Sequence, residues 1–201
     1  LAADPAGAGG NGRGLGARLL WDLVGPEVDP LAPENVLIFA TGPLTATGYQ
    51  TSNRFSVTTK SPLTGTVLDA NSGGYWGMQF KKTGYDALIV RGRAAQPTYI
   101  EIKPDGVSLR DAQHLWGQRV SAVTKALGQN DHRRNVLCIG PAGETLSRLA
   151  DIMNDGQRSL ARDARQLLGG DAIVSSDRQT PQAFIDEARR RGLQVATTTG
   201  F

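Results

Sequence analysis

The apolar run NVLIFA fills residues 35–40 and stops at TGP, residues 41–43. A short run of this kind, rich in Val, Ile and Phe and closed by turn residues, predicts a buried β-strand. Further along the chain, RFSVTTK at 54–60 alternates in polarity and predicts a second strand. Two more apolar runs, ALIV at 87–90 and VLCI at 136–139, predict two further buried strands.

Helical spacing of apolar residues predicts helices over residues 14–24, 75–84, 120–127 and 144–153. Residues 66–74 are predicted to form a glycine-rich loop, and residues 98–102 to pair with the strand at 87–90. Many links between strands are too short to contain the crossover that parallel pairing needs. The pattern therefore predicts an α+β or mixed α/β fold and argues against a Rossmann fold.

Composition excludes several classes of protein. The chain has 201 residues, with 22 Lys and Arg against 19 Asp and Glu, and no basic block predicts a nucleic-acid partner. Cys138 is the only cysteine, which excludes an intrachain disulfide and a four-cysteine iron–sulfur site within this chain. No apolar stretch reaches the roughly 18 residues of a membrane span, and residues 1–10 lack the features of a signal peptide. We therefore expect a cytoplasmic protein without a membrane partner.

The motif DANSGG at residues 69–74 is the first candidate site. Adjacent glycines let the backbone approach a ligand closely and present N–H groups to it. Asp69 and Asn71 would supply a carboxylate and an amide, and a helix beginning at Tyr75 would aim its free N–H groups at the same place. The alternative is a tight turn in which Asp69 or Asn71 caps that helix.

Two other side chains have two interpretations each. Arg54 stands in a run that otherwise predicts a strand, and it either faces solvent or holds an anion through two of its nitrogens. Trp76 either packs in the core or forms the wall of a pocket for a flat ligand. His114 and His132 have no cysteine or second carboxylate at ligand spacing, so no metal site is predicted.

A set of longer segments carries a family resemblance: GRGLGARLL (12–20), PLAPENVLIFATGPLT (30–45), RFSVTTKSPLTG (54–65), DANSGGYWG (69–77), KKTGYDALIVRGRAAQPTYIEI (81–102), LWG (115–117) and IGPAGETLSRLADIMNDGQRSLAR (139–162). In this order they resemble the N-terminal domain of the aldehyde ferredoxin oxidoreductase family, the tungsten-pterin enzymes.

The resemblance implies an α+β domain of two packed β-sheets with helices outside, here over residues 12–201 and preceded by a flexible N-terminus at 1–11. One face of that domain forms the base for a bis-pterin cofactor in the family. By the resemblance, the positions that match its pterin contacts are Arg54, Asn71 and Gly73. Asn71 would lie near a Mg²⁺ that bridges the pterin phosphates.

The chain also departs from the family. Members are longer and carry the cysteines for an iron–sulfur cluster in further domains. At residues 163–170, DARQLLGG stands where the family has a glycine-rich pterin loop. These departures favour a free-standing, metal-free enzyme that needs no cofactor and uses the former pterin face for a small aromatic or polar substrate.

One such activity is a Pictet–Spengler condensation of an aromatic amine with an aldehyde. Asp69 would then be the catalytic acid and base, Arg54 would hold a substrate carboxylate, and Tyr75 or Trp76 would stack on the substrate ring. Exposure of this face predicts that the protein is a homodimer. The predicted substrate-binding residues are Arg54, Asn71, Gly73, Tyr75 and Trp76.

Two alternatives stay open. In the first, the chain is a fragment or subunit of an aldehyde:ferredoxin oxidoreductase, and the face holds a tungsto- or molybdopterin with Mg²⁺. In the second, the chain is a non-catalytic domain that binds a ligand or stabilises a partner.

Overall fold

The computed structural model describes residues 12–128, 131, 134–145, 147, 151–155, 158–159, 173–179 and 195–198. The helices are α1 (Gly12–Leu23), α2 (Trp76–Lys82), α3 (Val120–Gly128) and α4 (Pro141–Glu144), with a short 3-10 helix at Gln113–Leu115. The strands are β1 (Val36–Thr41), β2 (Phe55–Lys60), β3 (Val67–Ser72), β4 (Ala87–Arg91), β5 (Thr98–Asp111), β6 (Asn135–Cys138), β7 (Met153–Asn154), β8 (Arg158–Ser159), β9 (Ile173–Gln179) and β10 (Val195–Thr198).

The strands form two sheets. The first has the order β10-β4-β1-β2-β3 and the second the order β5-β9-β6-β7-β8. In the first sheet β1 is antiparallel to both β2 and β4, β3 is antiparallel to β2, and β10 runs parallel to β4. Two sheets with separate helices confirm the predicted α+β fold.

The main core lies between the two sheets. Leu37, Phe39, Phe55 and Val57 contribute to it from the first sheet, and Leu137 does so from the second. Helix α2 lies at the same core and adds the buried rings of Trp76 and Phe80, which stack with centroids 5.0 Å apart.

Helix α1 covers the opposite face of the first sheet. The alternation of β1 turns Val36, Ile38 and Ala40 to this side, where they pack with Leu20 and with β4 residues in a second cluster. Helix α3 covers the second sheet through Val123 and the strand residues Val136 and Cys138. None of the helices in the described part of the chain has the length and apolar character needed to span a membrane.

Three predictions about elements are wrong. Residues 66–74 are not a loop, because strand β3 occupies most of them and pairs with β2 from Val67 to Ser72. Residues 98–102 do not pair with β4, because β1 and β10 already occupy both edges of β4. The helix predicted over 144–153 is wrong at both ends, because α4 ends at Glu144, where the prediction begins, and Met153 belongs to β7.

Some predictions concern parts of the chain that the structure does not describe. The flexible N-terminus predicted at residues 1–11 lies outside the described residues, as do residues 163–170 and His132.

Candidate functional site

The predicted site residues meet at one end of the ladder between β2 and β3. In this ladder Phe55 pairs with Ser72, Ser56 with Asn71, and Thr58 with Asp69. Arg54 and Gly73 directly flank the last pair, so they lie at the same end of the two strands. The sheet register therefore brings together Arg54, Asn71 and Gly73, three residues that are up to 19 positions apart (73 − 54) in the sequence.

Helix α1 covers one part of this ladder and leaves the other part open. Gly16 lies against Thr58, where a Cβ on the glycine would be 2.3 Å from the threonine Oγ1. Arg54 and Asn71 are exposed, and the position that a Cβ on Gly73 would take has no heavy atom within 4 Å. We call the uncovered set Arg54, Asn71 and Gly73 the polar shelf.

Polar side chains join α1 to the polar shelf. The Arg13 Nε in the first turn of α1 donates to Asp69 Oδ2 in an ion pair. The same carboxylate oxygen accepts a long hydrogen bond of 3.4 Å from Asn71 Nδ2, and Ser56 Oγ donates to Asn71 Oδ1, also at 3.4 Å. These hydrogen bonds orient the Asn71 side chain so that its amide nitrogen faces Asp69 and its amide oxygen faces Ser56.

Two buried oxygens beside the polar shelf have no hydrogen-bond partner within the part of the chain that the structure describes: Asp69 Oδ1 and Thr58 Oγ1. Their residues are register partners across β2 and β3. Buried polar atoms normally have a partner in a protein, in a ligand or in ordered water. The two oxygens therefore mark a place where a hydrogen-bond donor would be stabilised.

The polar shelf suits an anion that carries a hard cation with it. Arg13 and Arg54 supply two positive charges. Helix α1 begins at Gly12, which packs against the Ala40 carbonyl, so the positive end of the helix dipole lies on the α1 face of the sheet, as the polar shelf does. Oxygen ligands such as the Asn71 amide oxygen are the kind that Mg²⁺ prefers. Among the residues that the structure describes, no group of three or more His, Cys, Asp or Glu could hold a metal by itself.

The predicted ring-stacking role of Trp76 is wrong. Its side chain is fully buried, with 0% of its surface exposed, and it packs among Phe39, Phe55 and Phe80. It is a core residue because α2 turns this position inward between the sheets. Tyr75, the residue before it, is exposed and stands at the N-cap of α2 without a side-chain capping bond.

Sequence reasoning misses Arg13, Ser56 and Thr58, which adjoin the polar shelf, and Asn154, which contacts it from the second sheet. Asn154 Nδ2 donates to the Gly73 carbonyl at 2.8 Å and to Ser72 Oγ at 3.2 Å. No local signal in the sequence identifies these residues, because each contact joins segments that are distant in the chain.

The family model for the aldehyde ferredoxin oxidoreductase N-terminal domain matches residues 4–170. The chain is 49% identical over 154 residues to the tungsten-containing aldehyde ferredoxin oxidoreductase of Pyrococcus furiosus, a match that covers 75% of this chain and 25% of that protein. It is 36% identical over 159 residues to the WOR-like subunit of aliphatic sulfonate oxidoreductase from the same organism, covering 71% of this chain and 25% of that one.

A solved structure is similar as well. The active-site complex BamBC of benzoyl coenzyme A reductase, determined with 1,5-dienoyl-CoA, aligns with a TM-score of 0.77 and 36% identity over 90% of this chain and 29% of that chain. The chain thus spans about a quarter of the length of the two Pyrococcus furiosus proteins that it matches.

These relatives correct the predicted absence of a cofactor. That prediction rests on the departures from the family, yet the relatives from Pyrococcus furiosus and Thermococcus kodakarensis, both 49% identical to this chain, are tungsten-containing enzymes. With a family match over residues 4–170 and an identity of 49% to such an enzyme, this chain belongs to the aldehyde ferredoxin oxidoreductase N-terminal domain family.

Proposed function

We propose that this chain is the pterin-holding part of a tungsten- or molybdenum-dependent oxidoreductase, and that the polar shelf holds the phosphate end of the metallopterin. The observation that carries the proposal is the register of β2 and β3. It brings Arg54, Asn71 and Gly73 to the same end of the two strands, with the side chains of Arg54 and Asn71 exposed. By the resemblance, these three positions match the family's pterin contacts.

The residues present fit a phosphate-bearing group. The open space above Gly73 leaves room for a ligand directly against the backbone, which any side chain would narrow. Arg54 has no ion pair among the described residues, so its guanidinium is available for bidentate contact with a phosphate.

Each residue has a distinct part in this arrangement. Arg54 and Arg13 would neutralise phosphate charge, the Asn71 oxygen would bind Mg²⁺ directly or through water, and Gly73 would let the backbone approach. When bound, the metallopterin would supply the two-electron oxidation of an aldehyde for which the relatives are named. The chain contains a single cysteine, so the cysteines that hold the iron–sulfur cluster of such an enzyme would lie outside these 201 residues.

The relatives named above are oxidoreductases and reductases, and none of them is a cyclase. Nothing in these relatives supports the Pictet–Spengler condensation predicted from the sequence. The homodimer and the cytoplasmic location stay predictions, and sedimentation analysis and cell fractionation would test them.

The first experiment is to purify the chain from cells supplied with tungstate and molybdate. W, Mo and Mg would be measured by mass spectrometry, and pterin by fluorescence of the denatured extract. We expect pterin and metal together in the wild-type protein, and a strong reduction in the Arg54→Gln variant. A folded wild-type protein without pterin would contradict retention of the cofactor by this chain alone.

A second measurement does not need the rare cofactor. Pyrophosphate with Mg²⁺ imitates the bridged phosphates, and isothermal titration would give its dissociation constant. We expect weaker binding by Arg54→Gln, and unchanged binding by Arg93→Gln as a matched control, since Arg93 lies in the loop after β4, away from the polar shelf in the sheet order. Equal affinities for both variants would remove Arg54 from the site.

A further inference from the structure

We infer that Asn154 is a positioning residue through which the second sheet fixes the Gly73 backbone of the polar shelf. Asn154 is on β7, and its side chain is buried, with 1% exposed. Its amide nitrogen uses both of its hydrogens, donating to the Gly73 carbonyl at 2.8 Å and to Ser72 Oγ at 3.2 Å. A single side chain thus holds the end of β3 and the first residue of the turn that follows.

The neighbours of Asn154 hold it firmly in place. Ile152, two residues earlier, is fully buried in the core between the sheets. Asp155, the next residue, accepts hydrogen bonds from the Val136 backbone N–H at 2.7 Å and from Asn135 Nδ2 at 2.8 Å. With anchors on both sides, the Asn154 amide has little freedom, which is what a group that orients a binding residue requires.

The contact matters because the Gly73 carbonyl has one other side-chain hydrogen bond among the described residues, a longer one of 3.2 Å donated by Oγ of its neighbour Ser72. Its Cβ position is open, and the next residue, Gly74, has a φ of 105°, a conformation that side chains rarely adopt. Two adjacent glycines give the backbone wide freedom, and the bond from Asn154 removes much of it. The carbonyl of Gly73 is held inward, so the peptide plane that follows it is fixed relative to the polar shelf.

The inference rests on the proposed function only for the identity of the ligand, since the contact itself exists without one. The test compares Asn154→Asp with Asn35→Asp. Asn35 is the matched control because it is also fully buried and its Nδ2 also donates to two acceptors, the carbonyls of Pro30 and Lys60, at 2.8 and 3.0 Å. It lies beside the far end of β2, where Lys60 ends the strand.

Two readouts separate positioning from general stability. The first is the NMR signal and hydrogen exchange of the Gly73 and Gly74 amides in the protein without ligand. The second is the dissociation constant for pyrophosphate with Mg²⁺. For Asn154→Asp we expect shifted signals, exchange at these amides faster by about ten-fold or more, and binding weaker by about ten- to a hundred-fold. Asn35→Asp should leave both unchanged even where it lowers thermal stability.

Protonation offers a rescue within one variant. A protonated carboxyl carries one O–H donor in place of the two amide hydrogens, so the Gly73 and Gly74 signals of Asn154→Asp should move part of the way back toward the wild type as the pH is lowered. If Asn154→Asp does not fold, Asn154→Ser gives the same comparison without a buried charge. The serine hydroxyl is too short to reach both acceptors, so the contact with Gly73 and Ser72 is still broken.

Unchanged glycine signals in a folded variant, or equal changes in Asn35→Asp, would overturn the inference. If the wild type fails to bind pyrophosphate, the proposed function fails while the glycine signals still decide the role of Asn154.

Discussion

Gly16 on α1 and Thr58 on β2 touch so closely that a Cβ on the glycine would lie 2.3 Å from the threonine Oγ1 and 3.0 Å from its Cβ. Real Cβ atoms do not approach heavy atoms at such a distance, so α1 can lie this near the sheet only with glycine at this position. The contact sets how much of the β2–β3 ladder the helix covers, and thus where the polar shelf begins.

We predict that Gly16→Ala lowers the free energy of unfolding by about 1–3 kcal/mol, since the helix or Thr58 must move. The control is Gly128→Ala in α3, where an added Cβ would meet no side chain of the described residues within 4 Å and alanine should stabilise the helix by up to about 1 kcal/mol. Urea denaturation measures both changes. Adding Thr58→Ala to Gly16→Ala should recover part of the loss, and independent effects of the two substitutions would contradict a direct contact.

The buried position of Trp76 predicts a large effect on stability. Trp76→Ala should cost about 3–5 kcal/mol, because it leaves a cavity among three aromatic rings. Trp21 is 82% exposed, and Trp21→Ala should change the free energy of unfolding by about 0.5 kcal/mol or less. Similar losses in the two variants, measured by urea denaturation, would mean that Trp76 is not a core residue.

The ion pair between Arg13 and Asp69 predicts the sign of a binding change. Asp69→Asn removes a negative charge beside the polar shelf and frees Arg13, so pyrophosphate without Mg²⁺ should bind about two- to five-fold more tightly. Asp22→Asn is the matched control, because Asp22 pairs with Arg18 on the same helix at 3.0 Å. Titrations at low and high salt would test this. Weaker binding by Asp69→Asn would show that the carboxylate contacts the ligand favourably.

The buried thiol of Cys138 predicts a dependence of stability on alkaline pH. Burial raises its pKa from 9.0 to about 11, and a hydrogen bond with Thr124 opposes this shift. Between these values the folded protein keeps a proton that the unfolded chain releases, so the free energy of unfolding falls as the pH rises above about 9. Below that pH the contribution is fully present.

Cys138→Ala provides the comparison. From pH 9 to 10.5 the wild type should lose stability relative to this variant, at a rate approaching about 1.4 kcal/mol per pH unit. Urea denaturation at several pH values would measure the difference. Parallel pH profiles for the two proteins would show that the thiol ionises equally in the folded and unfolded states.

The apolar strands are predictable from sequence because their residues carry the pattern themselves. NVLIFA contains β1 and ALIV contains most of β4, and the residues of both runs are buried on both faces of the sheet. Strand β3 escapes prediction because Asp69, Asn71 and the following glycines are poor strand formers. It exists because the neighbouring strand β2 offers an edge with which it can pair over six residues.

The candidate site also contains residues that the sequence identifies and residues that it does not. Asp69, Asn71 and Gly73 stand together in one motif that identifies them, although the motif does not separate their roles. Asn154 directly follows a segment that predicts a helix, because Leu146, Leu149 and Ile152 have helical spacing. In the structure Ile152 fills the core between the sheets, and a need of the tertiary structure outweighs the local pattern.

The place of β9 in the second sheet has a consequence for biosynthesis. β9 lies between β5 and β6, parallel to one and antiparallel to the other, yet it follows both in the chain. During synthesis, the edges of β5 and β6 that pair with β9 therefore stay unpaired until residues 173–179 have been made. Exposed strand edges recruit other chains. The nascent polypeptide is thus prone to aggregation during this interval, and a chaperone that shields strand edges should raise the yield of folded protein.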